Sequence, residues 1–432
     1  MKRFLSVFCA AAILFSATAC NTTNESQSLP QTSSTVSNVN SEASPSEPEK
    51  TPASSATPDT GTEEPSASQE PADTVPVQEP TETSPSQEPT ETASAKPASS
   101  STEETAPAAT NETSSETTPA QSEAQPETPA NKLKLSNPNA SKEAQALFDY
   151  ICGTYRNGIL SGQQESTWMG SDQYEFEYIY NQTGKYPAIR GLDYMNDDFN
   201  GVNKRAIEWH KRGGIVTICW HCGCDFSGSW AESMNTEISD WDKALTEGTP
   251  EYEKLIKGMD KAAAALQKLE AENIPVLWRP FHEFDGAWFW WGKGGAENFK
   301  KLWTLMYDRY TNYWGLDNLI WVLGYSQNGK NYAKWYPGDE YVDIAGADSY
   351  RDGANGKLYS NVGKVVGDDM PICFHECGRI PTVEQLKKAD AQWVWFMTWH
   401  TEYITDHNKT DDLKKIYNDD YVITLDELPD LY

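Results

Sequence analysis

PVLWRPFHEFDGAWFWWG, residues 275–292, begins as an apolar run and ends in a crowd of polar and aromatic side chains. The run Pro275–Phe281 reads as a strand with no polar face, the pattern of a parallel sheet covered on both sides. The residues after it suit neither a core nor an ordinary surface. Four tryptophans surround a His-Glu pair, an arginine and an Asp-Gly. A core has no use for so many polar groups, and a plain surface has no use for so many indoles.

The phrase is not isolated. Working outward, short apolar runs recur at Gly158–Gly162, Tyr186–Leu192, Gly214–Trp220, Asn318–Gly324, Val342–Ala347, Pro371–His375 and Trp393–Trp399. Amphipathic stretches such as Tyr252–Glu272 and Ala296–Tyr313 lie between them and predict helices. Pro250 followed by Glu251 and Glu253 supplies a helix start with acids in the first turn. Eight strands interleaved with helices predict an α/β fold, a (β/α)8 TIM barrel closed by a parallel sheet. An open doubly wound sheet would carry a glycine-rich nucleotide turn after an early strand, and this sequence has none.

In such a barrel the reactive groups sit where strands end. Here the strand ends read WHCGCDF, RPFHEFDG, GADSY, FHECG and FMTWH. Each finishes in His, Glu, Asp, Tyr or Trp, so the runs converge on one polar and aromatic pocket. Glu283 closes the fourth run and Glu376 the seventh, placing two carboxyls across one mouth. Two carboxyls flanking one bond are what glycoside hydrolysis needs: an acid for the leaving oxygen and a nucleophile for the anomeric carbon. Read as continuous strand, Arg279, Phe281 and Glu283 share one side. Tyr350 is placed to donate its hydroxyl to the nucleophile, or else to fill core. Trp288, Trp290 and Trp291, with Trp399 and His400 on the eighth run, offer flat platforms for pyranose rings, with at least one expected to pack beneath the loop.

Competing motifs fail residue by residue. His282-Glu283 begins a zinc HExxH, but Gly286 stands where the second His is required. Gly286–Lys293 has one residue too many for a P-loop, and no G-x-S-x-G elbow occurs. Cys222-Gly-Cys224 beside His221 is not a standard zinc spacing, so the expectation is no metal and free or locally paired thiols.

The rest of the chain has another composition. Residues 1–20 carry Lys2 and Arg3, an apolar run too short to span a bilayer and small residues before Cys20, the layout of an export signal. The run Ala17-Thr18-Ala19-Cys20 resembles a bacterial lipoprotein processing site, which would lipidate Cys20. Simple cleavage nearby is the alternative. Residues 21–131 are rich in Ser, Thr, Pro and Glu and contain no Phe, Tyr or Trp, so a disordered, extended linker is expected. That linker holds more than half of the net charge of −29. The remainder, 132–432, is sized for one catalytic barrel and is only moderately acidic, and nucleic acid suits neither part. These features predict an extracellular protein held on the outer face of the cell membrane through an N-terminal lipid.

From about Gly158 to Trp399 the sequence resembles glycoside hydrolase family 26, dominated by endo-β-1,4-mannanases. The stretches that carry the likeness are ILSGQ, GIVTICWH, WRPFHEFDGAWFWWGK, DNLIWV, YPGDEYVDIAGADSY, FHECG and FMTW. The resemblance implies a (β/α)8 barrel that hydrolyses β-mannan with retention and without cofactor. It implies Glu283 as acid/base and Glu376 as nucleophile, with His221, Arg279, His282, Trp288 and Tyr350 lining the cleavage subsite. Trp399 would lie under the sugar beside the broken bond. Two departures stand out: Cys222-Gly-Cys224 after His221, and Phe284-Asp285 where many relatives have Met-Asn. Mixed-linkage β-glucan or β-1,3-xylan hydrolysis on the same scaffold, or glycan binding without cleavage, are the alternatives.

Overall fold

The computed structural model describes residues 133–432. The expected leader at 1–20, its Cys20 and the linker at 21–131 lie outside the described residues. The strands are β1 (Ile159–Gln164), β2 (Ile189–Asp193), β3 (Ile215–Cys219), β4 (Val276–Trp278), β5 (Leu319–Tyr325), β6 (Ile344–Ser349), β7 (Ile372–Cys377) and β8 (Trp395–Thr398). Each pairs in parallel with the next, and β8 pairs with β1, closing the predicted barrel. Within these strands only Asp193 is less than fully buried. That is why the runs lack an apolar/polar alternation: one face meets the barrel interior and the other meets helices.

All eight expected strands are present, with ends displaced by a few residues. A ninth, β9 (Val422–Ile423), has no counterpart among the expected strands. It pairs with Ile159 and Leu160, the first residues of β1, which β2 joins only from Gly162 onward. Two residues are too few to leave a periodic signal.

The helix Pro250–Glu270 starts at the Pro-Glu signal, with the Thr249 side chain accepting from the Tyr252 amide and Glu251 and Glu253 against the helix dipole. Leu255, Met259, Ala262, Ala263, Leu266 and Leu269 form its buried stripe. The stretch expected as one helix over 296–313 divides into an α-helix, Ala296–Asp308, and a π turn, Arg309–Tyr313. In the turn, Arg309 forms a two-pronged pair with Asp260 at 2.8 and 2.7 Å. Among the described residues no helix is long and apolar enough to cross a membrane.

Candidate active site

The turn after β4 builds one wall of the mouth. The strand stops at Trp278, although the Arg279 amide still donates to Ile218 O at 3.0 Å. Phe281, Glu283 and Ala287 then take positive φ values of 52°, 53° and 60°. Such values are unusual for residues other than glycine. The chain therefore coils, and the extended reading of Arg279, Phe281 and Glu283 is corrected. Phe281 packs outward against Phe226, Trp290 and Trp291, while Arg279 and Glu283 reach the mouth by way of the turn. The Glu283 amide donates to Gly324 O at 2.7 Å, pinning the turn to β5.

The tryptophans divide by role. Trp290 and Trp291 are fully buried, their indole N–H groups donating to the Cys222 and His282 carbonyls at 2.8 Å. A buried indole needs such an acceptor. Trp288 is only partly buried, and its N–H donates to Glu283 Oε2 at 3.0 Å. At least one tryptophan is expected beneath the loop, and the structure has two. The two departures also resolve locally: Phe284 stacks on Phe299 at 4.0 Å, and Asp285 accepts from the Ser326 amide at 2.8 Å, tying the turn to the loop after β5.

The opposite wall depends on an irregularity in β7. Ala347 pairs with Phe374, but the next residue, Asp348, pairs with Glu376. On the other side Phe374 faces Phe396, and Cys377 faces Thr398. His375 is thus one residue more than its neighbours match, a bulge that lets two consecutive side chains face inward. Both do so. Arg279 Nη1 donates to Glu376 Oε1 at 2.8 Å and lies 3.2 Å from His375 Nε2, while its Nη2 donates to Gln164 Oε1 at 2.8 Å. Since a guanidinium only donates, His375 Nε2 accepts, and its Nδ1–H then points to Asp348 Oδ1 at 2.5 Å. Burial and the Arg279 charge hold His375 well below the usual imidazole range, in keeping with that neutral form.

Tyr350 completes the set, donating its hydroxyl to Glu376 Oε2 at 3.0 Å. Burial and the nearby Glu376 charge keep the phenol well above its ordinary pKa, so it remains a donor. His282 Nε2 lies 3.6 Å from Glu376 Oε1 and meets His221 edge to face at 4.7 Å. His221 is oriented by Asp193, whose carboxylate takes its amide at 3.0 Å and its ring Nδ1 at 2.6 Å. Trp399 sits 6.1 Å from the His221 ring, just beyond β8. The structure therefore gathers the two carboxyls and the six subsite residues that the family resemblance implies. It adds four that were not singled out from the sequence, Gln164, Asp193, Asp348 and His375, the last two within strand ends already read as polar.

Electrostatics separate the two carboxyls. Burial, then the negative charge of Glu376, pushes Glu283 well above the usual carboxylate range, against the opposing hydrogen bond from Trp288. Among the described residues two clusters have metal-ligand chemistry, Asp193–Cys219–His221 and His282–Asp348–Glu376, each with donor atoms within 4.8 Å of one another. In the second, Glu376 is already paired with Arg279 and Asp348 with His375. The six cysteines among the described residues are free thiols.

Gly324 makes room for this network. A methyl group there would come within 2.7 Å of the His375 ring. Gly324→Ala is expected to destabilise the barrel by about 1–3 kcal/mol and to displace His375 from Arg279. The midpoint of urea unfolding measures it, and an unchanged midpoint would mean the ring has space.

Comparison with known proteins places the chain. A model described as glycosyl hydrolase family 26 matches residues 136–427. A mannan endo-1,4-β-mannosidase from Thermothelomyces thermophilus is 35% identical over 316 residues, covering 68% of this chain and 63% of its own length. Mannan endo-1,4-β-mannosidase B from a Piromyces species is 36% identical, covering 68% and 53%. The chain thus spans less than two thirds of these relatives. A solved structure of a ruminal GH26 endo-β-1,4-mannanase superposes with a TM-score of 0.64 at 37% identity, covering 68% of this chain and 70% of that one.

Proposed function

The chain belongs to glycosyl hydrolase family 26, and from that membership we propose that it hydrolyses internal β-1,4-mannosidic bonds of mannan, glucomannan or galactomannan with retention of configuration. The observation that carries this reading is the unequal pair of carboxyls in one mouth. Burial and the charge of Glu376 push Glu283 well above the usual carboxylate range, while Glu376 is fixed by the Arg279 guanidinium and the Tyr350 hydroxyl.

In the first step Glu376 attacks the anomeric carbon while Glu283 gives its proton to the departing glycosidic oxygen. The anomeric carbon is then esterified to Glu376, which has lost its charge. The repulsion that raised Glu283 disappears with that charge, so the carboxylate left after proton donation is easier to keep ionised. It takes a proton from water, the water oxygen attacks the anomeric carbon, and the bond to Glu376 breaks. Glu376 recovers its charge and Glu283 its proton. One carboxyl serves as acid and then as base because its partner's charge turns off between the steps.

The test is a product assay on glucomannan, galactomannan, mixed-linkage β-glucan and β-1,3-xylan side by side, with the anomer of the first product followed by NMR. Early manno-oligosaccharides of middle length, released as the β-anomer, are expected. Cuts confined to glucan or xylan would overturn the substrate, an α-anomer would overturn the mechanism, and no product from any of the four would remove the enzyme reading.

A further inference from the structure

We infer that Asp285 is a positioning residue for the nucleophile: by holding the loop after β5 it sets Tyr350, and with it the hydroxyl that Tyr350 gives Glu376. This rests on the function proposed above. Asp285 stands two residues beyond Glu283, on the turn after β4, and it acts through three links.

The first link is the bond from the Ser326 amide to Asp285 Oδ1 at 2.8 Å. The loop that begins there turns back on itself, with the Gly329 amide donating to Ser326 O at 3.3 Å. Gly329 lies so close to the carboxyl that a methyl group on it would collide with Asp285 Oδ2. The second link leaves the loop at Gln327. Its Oε1 accepts from the Tyr350 amide at 3.2 Å and from the Ser349 hydroxyl at 3.1 Å, at the end of β6. One residue on, Asn328 accepts from the Arg351 guanidinium at 3.0 Å. The third link is the Tyr350 hydroxyl on Glu376 Oε2.

Three consecutive residues, Ser326, Gln327 and Asn328, thus fasten the turn that carries Glu283 to the residue that holds Glu376. The bond from the Glu283 amide to Gly324 O secures the same turn to β5, so the two carboxyls share one frame. Filling space does not account for Asp285. Its Oδ2 is buried with no hydrogen-bond partner, and burial pushes the carboxyl up to about 6. An apolar side chain would fill the place without leaving a buried oxygen unpaired. It could not supply an acceptor for Ser326.

The test uses the full chain bearing Asp285→Ala, Asp285→Asn or Tyr350→Phe, alone and combined, with glucomannan as substrate. The Asp285 charge also bears on Glu283, so kcat is read at the top of each variant's pH profile. Asp285→Ala is expected to lower kcat about tenfold with KM held within about twofold, because a small displacement of a catalytic group is felt in the transition state. Asp285→Asn keeps the acceptor and should bring kcat to within about threefold of the unmodified chain. With Tyr350→Phe already present, Asp285→Ala should cost less than about a further twofold, since the hydroxyl it positions is gone. A full loss in that background, or an unchanged kcat in Asp285→Ala alone, would overturn the inference. Gln327→Ala cuts the same connection further along and replaces Asp285→Ala if that variant does not fold. Hydrogen exchange at the Tyr350 amide runs in parallel and needs no turnover. It should quicken in Asp285→Ala and not in Asp285→Asn. No product from the unmodified chain, with that exchange pattern intact, would remove the hydrolase reading and leave the hold of Asp285 on Tyr350 standing. Product with exchange unchanged by Asp285→Ala would overturn the hold itself.

Discussion

Replacing Glu376 with alanine is expected to lower kcat on β-mannan by about 10⁴-fold or more, because no other carboxyl can form the bond to the anomeric carbon. The substitution has a second effect that must be kept apart from the first. Arg279 is fully buried and would lose its anionic partner, keeping only Gln164 and the His375 ring. Breaking a buried pair from one side costs about 3–5 kcal/mol. Glu376→Gln keeps an acceptor for Arg279, so it should show a comparable loss of activity with a much smaller loss of stability. The two variants, compared by kcat and by thermal unfolding, separate chemistry from folding. A folded variant of either kind that retained wild-type turnover would sink the assignment. Azide added to Glu376→Ala with an activated aryl mannoside should restore turnover and give the α-mannosyl azide, since the small anion attacks from the face that Glu376 vacates.

Glu283→Gln should cost about 10²–10⁴ in kcat/KM on polymer, the usual worth of a positioned acid. On an aryl glycoside whose leaving group needs no proton, the loss should be far smaller for the first step. The pH dependence gives a sharper check. Burial and the Glu376 charge raise Glu283 well above its ordinary value, so its protonated form persists to higher pH and kcat/KM should fall as Glu283 ionises. Glutamine cannot ionise, and that alkaline limb should vanish from the variant's profile.

Stability moves the other way. A group whose folded-state pKa is raised contributes stability that is complete below its unfolded value, about 4.3 for glutamate, and lost as pH rises through the folded-state value. Above that point the native fold holds a poorly solvated charge that glutamine removes. The variant should therefore melt above the wild type at pH 8, with the gap shrinking toward pH 4. A gap that did not depend on pH would show that Glu283 is not perturbed in the fold.

The barrel is legible in the sequence because its strands are covered on both faces. Each is an apolar run with a polar end, a pattern that survives one-residue errors at the boundaries. Glu283 and Glu376 are legible for a related reason: each stands at such an end behind a histidine. Hidden from the sequence are residues whose meaning depends on another strand. Asp348 reads as an ordinary acid until His375 is seen against it, and Gln164 as a polar strand end until Arg279 reaches it. The tryptophans show the same limit from the other side. Trp288, Trp290 and Trp291 are equivalent in composition, and only the carbonyls of Cys222 and His282 decide that two of them are buried. Likewise, the positive φ values between Phe281 and Ala287 fall on residue types that give no warning of a turn, so the run reads as straight strand.

The irregularity in β7 implies that the setting of Glu376 is specified by counting as much as by chemistry. Side chains on a strand alternate between faces, so two inward neighbours exist only because β7 has one residue more than β6 and β8 match. Deleting one residue from Ile372–His375 would absorb the bulge: Glu376 would stay opposite Asp348, but the position before it would face the helices, and Arg279 and Asp348 would lose the imidazole between them. No substitution elsewhere would return that ring to the mouth. Homologous shuffling, loop grafting or drift in length can therefore impair this site without changing any residue that touches substrate. An insertion that restores the extra residue in the same strand repairs it.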